Sequence, residues 1–145
     1  MYQLTKKKAP LWSKVAVFVV LCALTSELLK AIFGGPTLDE ALMQTSGEIN
    51  KHCPIIIDST TRLDNTVVLA GKYLAYNYKL LQHADEVRSD TSYYKKAMSE
   101  SMLNMVKTNP RLAAAKKEGI GFAATWYDSS GSYICSLVIQ PEDYK

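Results

Sequence analysis

Lys72-Tyr-Leu-Ala-Tyr-Asn-Tyr-Lys-Leu-Leu81 carries the clearest structural signal in the chain. Leu74, Tyr76, Tyr78 and Leu80 share one parity; Tyr73, Ala75, Asn77 and Lys79 share the other. Side chains alternate between the two faces of an extended strand, so this period of two reads as β-structure. Arg62–Leu69 precedes it across Ala70-Gly71, and together the two segments predict a hairpin.

Working upstream, Thr37-Leu-Asp-Glu40 has the capping-box pattern, with Pro36 just before it. Leu38, Ala41, Leu42, Thr45 and Ile49 then form one helical stripe running to about Asn50. Pro54 stops that helix and opens Ile55-Ile56-Ile57, and Asp58-Ser-Thr-Thr61 reads as polar punctuation before the hairpin. Downstream, Ser89 or Asp90 caps a helix to about Thr108, with Tyr94, Ala97, Met98, Ser101, Met102 and Met105 as its core stripe. Asn109-Pro110 restarts a short helix that ends at Glu118-Gly119. Two strands close the domain, Ile120–Tyr127 and Ser132–Gln140, joined by Asp128-Ser-Ser-Gly131. On the last strand, Tyr133, Cys135, Leu137 and Ile139 are expected to share a face. The element order predicts an α+β fold: a four-stranded antiparallel sheet with helices on one face, behind an N-terminal membrane helix.

That membrane helix is read from residues 6–33. Lys6, Lys7, Lys8 and Lys14 run into Val15-Ala-Val-Phe-Val-Val-Leu-Cys-Ala-Leu24, and a second apolar patch, Leu28 to Phe33, ends at Gly34-Gly35-Pro36. A helix from Leu11 to Phe33 rises about 34 Å, enough for a hydrocarbon core of about 30 Å. Its clean apolar block is short, which also suits a signal peptide, but no A-x-A-like cleavage site follows it. An uncleaved anchor is the favoured reading; a cleaved signal and a buried helix of a soluble protein are the alternatives. Lysines before the block and acids after it leave the N-terminus cytoplasmic at the bacterial inner membrane and send the domain into the periplasm. Cleavage would instead secrete the same domain. Residues 1–35 are thus the stub and anchor, and residues 36–145 the extracytoplasmic domain.

Charge follows the same division. The chain carries +3 overall. Residues 1–34 hold five lysines and one glutamate; residues 35–145 hold twelve Lys/Arg against thirteen Asp/Glu, a net −1. The basic balance therefore belongs to the targeting segment, which removes the electrostatic case for a nucleic-acid partner.

Chemistry-bearing residues are few. Cys53 and Cys135 both fall in the exported domain, where an even pair invites a disulfide; free buried thiols are the alternative. Cys53, Cys135, His52 and His83 lack metal-site spacing, and no cofactor fingerprint is present, so neither metal nor cofactor is expected. His52-Cys53 suggests a thiol nucleophile, but adjacent residues point in different directions. Asp58, Arg62 and Asp64 are a dense polar group whose simpler role is turn formation. Tyr73, Tyr76, Tyr78, Tyr127 and Tyr133 all fall in strands, and those facing away from the helices would offer an aromatic surface to a protein partner.

Cys53-Pro54, Asp58, Thr61-Arg-Leu-Asp64, Tyr76-Asn-Tyr78, Gly131-Ser-Tyr-Ile134 and Ile139 together resemble small, functionally uncharacterised bacterial envelope proteins, over roughly residues 48–140. The resemblance implies a membrane-associated α+β domain and brings no catalytic residues with it. The expected function is a non-catalytic, membrane-tethered protein-interaction or accessory domain of an envelope complex. The rival is a small exported enzyme or ligand-binding domain using Cys53, His52 and the Asp58–Asp64 segment.

Overall fold

The computed structural model describes residues 37–145; the stub and membrane helix expected before them lie outside the described residues. Helix α1 spans Leu38–His52 and begins as its capping box dictates. Thr37 N–H donates to Glu40 Oε2 at 2.9 Å, and Glu40 N–H donates to Thr37 Oγ1 at 3.4 Å. Its buried stripe is Ala41, Leu42, Thr45, Ser46 and Ile49.

The sheet has five strands in the order β1-β2-β3-β4-β5. They are β1 (Ile55–Ile56), β2 (Thr61–Leu69), β3 (Tyr73–Leu80), β4 (Gly121–Tyr127) and β5 (Tyr133–Ile139). This corrects the expected four-stranded antiparallel sheet in two ways. First, the isoleucine run folds back as a short edge strand, pairing Ile55 with Leu63 and Ile56 with Arg62. The reversal is made by Asp58, whose Oδ1 accepts from Thr60 N–H at 2.7 Å and Thr61 N–H at 2.9 Å. Second, β4 lies parallel to β3, so the sheet is mixed. Residues 81–120 between them form a helical crossover, the kind of connection that parallel neighbours require.

That crossover contains α2 (Ala84–Ser89), α3 (Thr91–Thr108), a 3-10 turn at Pro110–Leu112 and α4 (Ala113–Lys117). The short α2 was not expected. Asp90 caps α3 by accepting from Tyr93 N–H at 3.1 Å. The core of α3 is Met98, Met102 and Val106, with Tyr94 and Met105 partly buried at its margin. A final 3-10 turn, Pro141–Asp143, delivers Tyr144 to the core, where its hydroxyl donates to the Ile120 carbonyl at 2.6 Å.

The helices gather over one face of the sheet. Leu63 on β2, Leu74, Tyr76, Tyr78 and Leu80 on β3, and Phe122, Ala124 and Trp126 on β4 point into that layer and are buried. Each such apolar side chain contributes about 1.5–3 kcal/mol relative to exposure. Tyr78 stacks between Tyr76, at 6.3 Å, and Trp126, at 5.4 Å, so aromatic rows cross from β3 to β4 inside the core. Burial raises the Tyr76 and Tyr78 phenols above the ordinary tyrosine range.

Candidate functional site: the helix-free face of the sheet

Alternation leaves the opposite parity of each strand on a face that, among the described residues, no helix covers. Strand register organises this face into rows. Val67, Ala75, Ala123 and Val138 lie side by side across β2 to β5. The next row is Asn65, Asn77, Thr125 and Ser136, in which Asn77 Nδ2 donates to Asn65 Oδ1 at 2.7 Å. Toward one end lie Leu69, Tyr73 and Gly121; toward the other, Ile56, Arg62, Lys79, Tyr127 and Tyr133.

The face is apolar at its rims and small at its centre. Val67 (43%), Leu69 (46%), Val138 (51%), Tyr133 (58%) and Ile56 (63%) are all substantially exposed. Ala75, Ala123 and Gly121 occupy the central strands, so the middle of the face is low. At Gly121 the Tyr73 ring fills the missing side chain's place: a Cβ there would stand 2.1 Å from Tyr73 Cε1. Charge is confined to one end, where Arg62 Nε donates to Asp64 Oδ1 at 2.5 Å and Lys79 Nζ stands 3.7 Å from Asp64 Oδ2.

The five strand tyrosines divide between the two faces. Tyr76 and Tyr78 are core residues, which corrects their assignment to a partner surface; their parity with Leu74 and Leu80 was the available signal. Tyr73 and Tyr127 are half-buried on the helix-free face. Tyr133 reaches that face only because the β4–β5 register shifts: Trp126 pairs with Cys135, but Tyr127 pairs with Tyr133. The irregularity turns Ile134 inward and parts Tyr133 from the face of Cys135, Leu137 and Ile139, as a β-bulge does. The Tyr127 and Tyr133 rings then meet edge to face at 6.4 Å, and the Tyr133 hydroxyl bonds Ser136 Oγ at 3.1 Å.

The expected disulfide does not fit. Cys53 and Cys135 are free. Cys53 immediately precedes the β1 edge while Cys135 is buried on β5 at the opposite edge, some four strand spacings or about 19 Å away. A bridge needs Cα atoms within about 7 Å. Burial pushes both thiols up, and the nearby Asp64 carboxylate adds to the rise at Cys53. A nucleophilic cysteine requires the reverse shift. His52 is exposed in the last turn of α1, and His83 lies near Glu86, with 3.1 Å between Nδ1 and Oε1. Asp58 Oδ1 is engaged in its turn, as read from the sequence. Among the described residues no group of His, Cys, Asp and Glu side chains could hold a metal.

A polar clasp between α1 and β2 escaped the sequence reading. Ser46 Oγ lies 2.8 Å from Thr66 Oγ1, and the Asn50 amide bonds the Thr66 backbone. Its residues are spread over two elements, and no local pattern announces their meeting.

These features define a two-layer α+β domain, helices over a mixed sheet, with one sheet face left open by the described residues. The chain belongs to the family described as a domain of unknown function, DUF8479, which matches residues 37–134. No curated protein sequence matches it. Solved structures share the fold at low identity. A protein from Pseudomonas aeruginosa inferred to be secreted has a TM-score of 0.56 at 13% identity, covering 77% of this chain and 100% of its own. The type II secretion system pilotin AspS of Vibrio cholerae gives 0.52 at 9%, over 73% and 91%. The type 2 secretion system pilotin EpsS of Vibrio vulnificus gives 0.55 at 10%, over 74% and 92%.

Proposed function

We propose that the protein is a non-catalytic accessory or interaction domain of a bacterial envelope complex, binding a protein partner through the helix-free face of its sheet. The observation that carries this is the open face itself: Ile56, Val67, Leu69, Tyr133 and Val138 leave apolar surface in water where a sheet is ordinarily covered or polar. In this reading residues 11–33 tether the domain to the inner membrane, with the N-terminus cytoplasmic and the domain periplasmic. Kinship of fold with two secretion pilotins and an inferred secreted protein supports an envelope setting. The sequence supports the tether through its basic-then-apolar order. Among the described residues no helix is long and apolar enough to cross a membrane, so the tether rests on residues 11–33 alone.

The test is affinity capture of the full-length chain from detergent-solubilised membranes. The expected result is a stoichiometric protein partner that is lost on Leu69→Asp or Tyr133→Asp, both at exposed positions. Retrieval of no such partner overturns the reading.

A further inference from the structure

The two long edges of the sheet are treated differently. On the β2 side, β1 pairs with Arg62 and Leu63, and Asn50 then takes up both backbone groups of Thr66. An edge masked by a short strand and a side-chain clasp is how natural sheets resist strand addition. On the other side β5 runs Tyr133-Ile-Cys-Ser-Leu-Val-Ile139, without a charge or a proline. Among the described residues, no hydrogen bond reaches the backbone of 133–139 except from within the sheet. Exposed Tyr133 and Val138 stand along this edge on the helix-free face.

We propose that the outer edge of β5 accepts an extended segment of another protein, which adds a sixth strand by main-chain pairing. This deepens the proposed function and rests on its reading that the protein works through protein contacts. An added strand would place alternate side chains beside Val138 and Tyr133 on the open face and the remainder beside α3. The first set is apolar by complementarity. The second meets α3, which packs against β5 with Lys95 near enough to Cys135 to act on its thiol, and which also carries Lys107 and a Lys96 paired with Glu100. Helix α2 touches β5 as well, but its Asp85 is paired with Arg88 and its Glu86 with His83. The occupant is therefore an extended segment alternating apolar with acidic residues. A second copy is disfavoured by the same charges, because two-fold pairing of β5 would set one α3 beside another with the same lysines.

Selecting short random peptides displayed on phage against the detergent-solubilised full-length chain tests this. The expected peptides alternate apolar and acidic residues, and the best of them slows hydrogen exchange at β5 amides. Val138→Glu should weaken that peptide by about tenfold, since it sets a carboxylate against the apolar side chains that the added strand places beside position 138. Val67→Glu, on the same face but at β2, should leave it within about twofold, being distant from the added strand. Circular dichroism establishes that both variants fold, and exchange on the unmodified chain tests the proposal independently of either. Selection of no peptide, of peptides without acidic bias, or of peptides that protect only β2 overturns it, as does β5 protection arising from a dimer. A captured cellular partner that leaves β5 exchange unchanged would sink this proposal and spare the broader one. Peptides that bind β5 when no cellular partner is retrieved would do the reverse.

Discussion

The Asn50 side chain acts as a surrogate strand for Thr66: its Nδ2 donates to the Thr66 carbonyl at 2.9 Å, and its Oδ1 accepts from the Thr66 N–H at 2.7 Å. One amide thus satisfies both outward backbone groups of an edge residue and fixes α1 to β2. Asn50→Ala leaves the Thr66 N–H without its partner and the Thr66 carbonyl with only Ser46 Oγ, at 3.1 Å, and should cost about 1–3 kcal/mol. A urea titration would register this as a lower midpoint with an unchanged slope. A midpoint identical to wild type would show that the clasp adds nothing to stability.

Gly121 and Tyr73 should show coupled effects. An alanine at 121 would collide with the Tyr73 ring, so Gly121→Ala should cost about 1–3 kcal/mol as an overpacking change. In a Tyr73→Ala background the clash is gone, and the same substitution should cost nothing or become favourable, since alanine outperforms glycine in ordered backbone. A double-mutant cycle measures the difference; additive effects would contradict the packing.

Asp128 governs the acid limb of stability. It accepts from Ser130 Oγ, from Arg88 Nη2 at 2.6 Å and from the Ser132 N–H, and these contacts hold its carboxyl well below the ordinary value of 3.8. The unfolded chain therefore binds the proton first as pH falls. The stabilisation is complete above roughly pH 4 and is lost progressively below it. Thermal midpoints of wild type and Asp128→Asn should differ most near neutrality and converge in acid. A gap of constant size across the range would exclude the ionic contribution.

Tyr76 and Tyr144 should respond in opposite directions to loss of their hydroxyls. Tyr144 donates to the Ile120 carbonyl at 2.6 Å, so Tyr144→Phe should destabilise by about 0.5–1.5 kcal/mol. Among the described residues no protein group bonds the buried Tyr76 hydroxyl, so Tyr76→Phe should stabilise by about 1 kcal/mol. Denaturant midpoints decide both signs.

The two thiols of the described domain should alkylate slowly in the folded protein. Both are held protonated beyond the ordinary thiol range by burial, and Cys135 is the more enclosed. Peptide mass mapping after iodoacetamide at neutral pH should find Cys53 modified before Cys135, with both reacting quickly in urea. Rapid labelling of Cys53 in the folded state would revive the thiol-enzyme reading.

Legibility in the sequence followed the range of the interactions. The Thr37–Glu40 box, the Asp90 cap, the hairpin turn and the alternation of β3 depend on residues within a few positions of one another, and each stands as read. The short β1 depended on a turn folding Ile55 onto Leu63. The parallel placement of β4 beside β3 depended on how residues 81–120 pack, which no local pattern encodes. For the candidate site, parity alone could have assigned Tyr76 and Tyr78 to the core. Tyr133 could not be assigned that way, because a single register shift against Tyr127 reverses its face.

By itself the sequence determined the α+β composition, the starts of α1 and α3 and the alternation of β3, since caps and periodicities are local chemistry. Only the tertiary structure decided the five-stranded mixed order, the separation of Cys53 from Cys135 to opposite edges, and which face of the sheet stays open. Those depend on strand neighbours and register, where a shift of one residue exchanges core for surface.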